Sequence, residues 1–180
     1  IYQDSVVAPF ITNDINGTLA AIKKIPVGDK DLTILLIEAR CHQIQGNYKL
    51  AMNAAANVMQ KSATAEKWTR GEPRMMAVVI GADAAMELGQ NDKALKFYQS
   101  VLKLDPDQED VRAQYRGLKK VAKLLKEADE QITKGYNKAA SVIIDECLSA
   151  MRGLDVDSPL FRSKIQLKLC AIQSNMGKHE

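Results

Sequence analysis

Histidine and aromatic residues are scarce in this chain, and each shortage removes a class of function. Only His42 and His179 are present, and aromatics make up 5% of the 180 residues. Two histidines far apart give a nucleophile no evident base and a metal no ligand set. Cysteine occurs three times, as Cys41, Cys147 and Cys170. An odd number without a CxxC pair is neither a disulfide framework nor a zinc site. Each falls at a small or apolar helix position and reads as a buried thiol. No apolar run approaches the roughly 20 residues needed to cross a bilayer. An excess of one charge is lacking too: 25 basic residues against 22 acidic ones leave +3, too even to argue for nucleic acid. No phosphate-binding glycine motif and no targeting leader is legible, although a chain that opens on Ile1 rather than Met can have lost one.

What is abundant points one way. Hydrophobic residues reach 46%, and Ala, Leu, Lys, Met and Gln, which lose little rotamer freedom in a helix, are plentiful. The prolines (Pro9, Pro26, Pro73, Pro106 and Pro159) fall where helices are expected to break.

Three segments repeat. Ala39, Gly46 and Ala51 recur in step as Ala82, Gly89 and Ala94, and again as Ala128, Gly135 and Ala140. Val58-Met59, Val101-Leu102 and Cys147-Leu148 share one offset from their glycine. Glycine at such a point ends the first helix of a pair with a left-handed cap. The alanines mark the crossing, where small side chains let backbones approach. At Asp105-Pro106, Asp105 is expected to cap the next helix and Gln108 to complete a capping box. Ser158-Pro159 repeats the device. A partial copy starts near Ser163 and reaches Gly177 to Glu180, and Asn16 to Ile25 reads as the second helix of an earlier, incomplete repeat.

This is the pattern of the tetratricopeptide repeat, normally 34 residues long. The expected fold is all-α: a solenoid of antiparallel helix pairs, about eight helices in all. The glycines are 43, 46 and 42 residues apart, so the extra residues need a place. Gln60 to Arg74 reads as a longer loop or helix extension. Asp107 to Lys134 reads as one long linker helix, with Gly117 a candidate bend. Residues 1–106 then form a first sub-bundle (a partial repeat plus two repeats), and 107–180 the long helix and a second sub-bundle.

In this repeat the first helix of each pair lines the concave groove. Counting from the glycines places Leu36, Ile37, Arg40 and Ile44 there, followed by Met76, Val79, Ile80, Asp83 and Met86. A secondary groove takes Leu125, Lys126, Asp129, Ile132, Lys164 and Lys168. The early wall is apolar with methionine, which adapts to irregular partners; the late wall is charged. A polypeptide client is the natural occupant. The competing reading is a scaffold subunit whose groove is filled permanently inside a larger complex.

Other features have bland readings. Asp105, Asp107, Glu109 and Asp110 cluster where a helix macrodipole favours negative charge. Arg116, Lys119, Lys120, Lys123 and Lys126 lack an aromatic stacking platform and read as a solvated face. The Asn16-Gly17-Thr18 sequon carries little weight alone. No catalytic residue, cofactor or metal is expected, and the chain is read as a binding protein rather than an enzyme.

A resemblance sharpens the reading. Leu102-Lys103-Leu104-Asp105-Pro106-Asp107, Tyr115 to Leu125 around Gly117, Glu127 to Ile132 with Gly135, Ile37 to Cys41, and Arg162-Ser163-Lys164 before Cys170 resemble the tetratricopeptide–J-domain co-chaperones, in particular their endoplasmic-reticulum branch. That resemblance implies repeats that hold unfolded polypeptide and pass it to an Hsp70 through a J domain. It implies an endoplasmic-reticulum lumen location, with the cytoplasm as the alternative. The His-Pro-Asp triplet of a J domain does not occur in these residues. A cytosolic relative clamps chaperone C-termini with Lys and Asn. This chain has Lys126 at the matching place but Asp129 where Asn is wanted, which would repel an acidic tail and favours apolar clients.

Overall fold

A computed structural model describes residues 3–61, 73–156 and 159–177. Among them are nine α-helices: α1 (Gln3–Ile11), α2 (Ile15–Lys23), α3 (Leu32–Ile44), α4 (Tyr48–Lys61), α5 (Pro73–Glu87), α6 (Asn91–Leu104), α7 (Glu109–Thr133), α8 (Asn137–Ala150) and α9 (Pro159–Met176). A 3₁₀ turn, Val27–Asp29, precedes α3. No strand occurs among the described residues. The fold is all-α and built of tetratricopeptide-like helix pairs.

The repeated residues do what their spacing requires. Gly46, Gly89 and Gly135 have φ of 72°, 70° and 80°. At each, two bonds close the helix end in the same way. Gly46 N donates to Gln43 O (3.0 Å) and Asn47 N to His42 O (2.8 Å); Gly89 and Gln90, then Gly135 and Tyr136, repeat the pair. That is the Schellman cap, which an L side chain enters only under strain. Gly135→Ala is expected to cost about 1 kcal/mol, read as a lower urea midpoint at unchanged slope. The crossing alanines Ala39, Ala51, Ala82, Ala94, Ala128 and Ala140 are all fully buried, as are Val58, Val101 and Cys147 at the shared offset.

Four sequence expectations are corrected. First, the incomplete early repeat expected at Asn16 to Ile25 is a full pair whose first helix is α1. Its cap is Asn13, at φ 62°, with Asn13 N bonded to Phe10 O and Asp14 N to Pro9 O. Asn is the usual substitute for Gly at this point. Pro9 therefore lies inside a helix instead of breaking one. Second, Asp105 does not cap α7. The cap position is Gln108, which makes no side-chain cap bond. Asp105 instead accepts from Asp107 N (3.3 Å) and from Gln108 Nε2 (3.1 Å), fixing a turn at Pro106. The helix after it starts with Glu109 and Asp110 in its first turn. Third, Gly177 is not left-handed whereas Gly153 is, at φ 83°. Fourth, Gly117 is a site of close approach: a Cβ there would lie 2.5 Å from Leu154 Cδ2. The long helix itself spans 25 residues, close to the expected run. The expected Ser158 cap, His179 and most of the Gln60 to Arg74 segment lie outside the described residues.

The chain divides into two compact units, Ile1–Phe97 and Tyr98–Glu180, that meet within α6. Two apolar clusters lie among the described residues of the first. Val6, Ile22, Ile25, Ile34, Ile37 and Cys41 join α1 and α2 to α3. Leu35, Ala39, Ala51, Ala54, Ala55, Val58, Ala77, Ile80 and Ala84 join α3, α4 and α5. In the second unit, Leu118, Val121 and Leu124 of α7 are buried, with Ile144 and Cys147 of α8 and Phe161, Ile165 and Ile172 of α9.

The cysteines separate. Burial, with Glu38 adding to it, pushes the Cys41 thiol up to about 11. Burial, with Glu146 adding, does the same for Cys147. Cys170 is exposed, against expectation. It precedes Gly177 by the interval at which Ala39, Ala82 and Ala128 precede their glycines, but among the described residues no helix follows α9 to cover it. At pH 8 a maleimide should label Cys170 alone in the native chain and all three thiols in denaturant. The raised pKa values also set a sign. The stability gained by keeping the two buried thiols neutral is complete below pH 9 and is lost as pH rises towards 11.

Candidate functional site

The α3 and α5 helices are the first helices of successive pairs, with α4 packed against both. Each is apolar around most of its circumference, as suits an inner helix covered on more than one side. One cross-helix bond fixes their register: Gln43 Nε2, near the end of α3, donates to Asp83 Oδ2 on α5 at 2.5 Å. Gln43 Oε1 in turn accepts from Arg40 Nη1 at 2.6 Å. One turn back from Gln43 lies Arg40 and one further lies Leu36; successive turns back from Asp83 reach Val79 and Met76. The face thus carries an apolar end, Leu36 with Val79 and Met76, and a polar end, Arg40–Gln43–Asp83.

Exposure sorts the residues expected here. Met76 is 49% exposed and Ile44 51%. Arg40 is exposed, and Leu36 and Val79 are half-buried. Leu36 packs on the α3–α4–α5 cluster, as does Phe97. Three expected groove residues are corrected to core residues. Ile37 turns towards α1 and α2, Ile80 towards α4, and Met86 is 1% exposed. A groove count that assigns every apolar residue of α3 and α5 to one wall overlooks that these helices are buried on several sides. Asp83 is buried, at 6% exposure, so it acts on the surface through Gln43. Gln43 itself was missed by the sequence reading. Its only signal is its place one turn after Arg40.

The secondary set sits on α7 and α9. Leu125 and Ile132 are half-buried, and Lys126 and Lys164 are exposed. Asp129 Oδ1 forms an ion pair with Lys168 Nζ, so the carboxylate that was expected to repel an acidic tail is tied to a cation of α9. Such a surface pair contributes about 0–1 kcal/mol. Along α7, Lys120 pairs with Glu146 at 2.9 Å, while Arg116, Lys119, Lys123 and Lys126 face solvent. His42 is half-buried, and burial lowers its pKa, with Glu38 opposing. Among the described residues no group of three or more His, Cys, Asp or Glu could hold a metal ion. None of their helices is long and apolar enough to cross a membrane.

DnaJ protein P58IPK homolog B of Oryza sativa subsp. japonica is 24% identical over 178 residues, 97% of this chain. Homolog A of the same plant is 24% identical over 177 residues, again 97%. The chain is thus similar to P58IPK-type DnaJ proteins over nearly its whole length. The Arabidopsis thaliana P58IPK homolog is 27% identical over 107 residues, covering 59% of the chain and 21% of that protein. The chain spans about a third of the length of the rice P58IPK homologs it matches, 35% and 34%. No family model and no solved structure matches.

Proposed function

We propose that this chain is the polypeptide-binding repeat module of a DnaJ-type co-chaperone, holding unfolded or apolar segments against the α3/α5 face. One observation carries the reading. Met76 and Ile44 stand about half exposed on a face where Leu36 and Val79 are only half-buried, and apolar side chains grouped on one face, unlike those exposed singly, mark a site of interaction. Methionine lets such a surface adapt to clients of differing shape. The charged α7/α9 set (Leu125, Lys126, Asp129, Ile132, Lys164 and Lys168) serves as a secondary contact, and the working boundary between the two surfaces lies at residues 106 and 107. The role is binding, without catalysis. A J domain elsewhere in the full protein would deliver the client to an Hsp70, with the endoplasmic-reticulum lumen as the place of action.

The test is aggregation of a heat-denatured protein followed by light scattering. The chain at near-equimolar ratio is expected to suppress it; no suppression at several-fold excess removes the proposal.

A further inference from the structure

The polar end of the α3/α5 face has no role in holding an apolar segment, yet it is built with care. The carboxylate of Asp83 can only accept hydrogen bonds, so the amide of Gln43 must turn its NH2 to Asp83 and its oxygen to Arg40. The buried carboxylate thereby fixes an amide, and the amide fixes a guanidinium. Arg40 is exposed, and among the described residues no carboxylate forms an ion pair with it. Nη1 donates to Gln43, and the exposed side chain has further N–H groups to offer a client. A fork held in one orientation and still owed a partner matches a carboxylate better than a single carbonyl.

We propose that the α3/α5 face reads a carboxylate as well as an apolar side chain. The segment it prefers carries Asp or Glu two residues from a large apolar residue. The spacing follows from the helix: Leu36 and Arg40 are one turn apart, about 6 Å along α3, and an extended peptide covers about 6.6 Å in two residues. Glutamine at 43 is a positioning residue, since it touches Arg40 and not the client. This inference rests on the client-holding reading of the same face and adds to it a preference among clients.

The experiment uses the whole chain and two dye-labelled, end-capped peptides. In the first, a central glutamate is flanked on each side, one glycine removed, by leucine, so that either chain direction offers the same spacing. The second has glutamine in place of the glutamate. By fluorescence anisotropy at low salt the glutamate peptide is expected to bind about fivefold more tightly, as suits one partly solvated ion pair, with the gap closing at high salt. Arg40→Gln is expected to erase the gap, bringing the glutamate peptide down to the affinity of the glutamine peptide. Gln43→Met is expected to shrink it below about twofold and, because it removes a hydrogen bond to the buried Asp83, to lower the unfolding midpoint; binding is therefore compared well below that midpoint, where the glutamine peptide still binds. Equal binding of both peptides, each lost on Met76→Asp, would overturn the carboxylate preference and leave the apolar site standing. A gap that survives Arg40→Gln would also overturn it. If neither peptide binds, both readings fall together.

Discussion

Replacing Met76 by aspartate is expected to abolish client holding while leaving the fold intact. Met76 lies on α5 at 49% exposure, so a carboxylate there stays hydrated in the free chain and costs little stability. Covering it with an apolar client segment strips that hydration without supplying a partner, a penalty of several kcal/mol. Even about 1.4 kcal/mol is a tenfold loss of affinity, so suppression of aggregation should disappear at equimolar chain. The control is built into the molecule. Leu50 on α4 is equally exposed, at 49%, and Leu104 at the end of α6 is 53% exposed, but both belong to second helices of their pairs. Leu50→Asp and Leu104→Asp should hold client as the native chain does. A Met76→Asp chain that still suppresses aggregation, or equal losses in all three variants, would mean that the surface is not a particular face at all.

The largest stability effect is expected at Leu118. Its side chain is fully buried on α7, in a stripe with Val111, Val121, Leu124 and Ala128. Truncation to alanine removes buried methyl groups and leaves a cavity that flanking helices fill only in part. The usual cost of such a change is about 3 kcal/mol. For a chain of this size that lowers the midpoint of thermal unfolding by roughly 10 °C. Leu167→Ala on α9, where the side chain is 69% exposed, should change it by less than about 0.5 kcal/mol. Differential scanning calorimetry of the two variants distinguishes them. A Leu118→Ala chain as stable as Leu167→Ala would show that the buried stripe of α7 is not what holds its unit together.

The repeat was legible because its demands are local. A left-handed cap selects glycine and a close crossing selects alanine, so Gly46, Gly89 and Gly135 with their alanines stand out before any coordinates. The first pair obeys the same register with other residues. Val6 is buried where the others have alanine, Asn13 takes the left-handed cap, Thr18 is buried, and Ile25 is buried at the later offset. Asparagine and threonine satisfy the same geometry by other chemistry, Thr18 by donating its hydroxyl to Asp14 O at 2.6 Å. A search keyed to glycine and alanine therefore found only half of that pair. The same hydroxyl bond, with Thr18 buried inside α2, also removes the sequon Asn16-Gly17-Thr18 from open loop structure.

The site was less legible, for a reason of register. Periodicity tells which residues share one face of α3 or of α5. It does not tell how far one helix slides along the next, and that slide decides that Gln43 meets Asp83. It also does not reveal how many sides of a helix are covered. Hence Leu36, Arg40, Ile44, Met76 and Val79, all expected in the groove, are at least partly exposed, whereas Ile37, Ile80 and Met86, expected there too, are buried.

The most direct test of client holding on α3 and α5 is an amide NMR titration of the isotopically labelled chain with a permanently unfolded, reduced and alkylated protein. The expected result is that shifts and broadening concentrate on Leu36, Arg40, Gln43, Ile44, Met76 and Val79, with Leu50 and Leu104 unmoved. Perturbations confined to α4, α6 and α8, or none at saturating client, would contradict it.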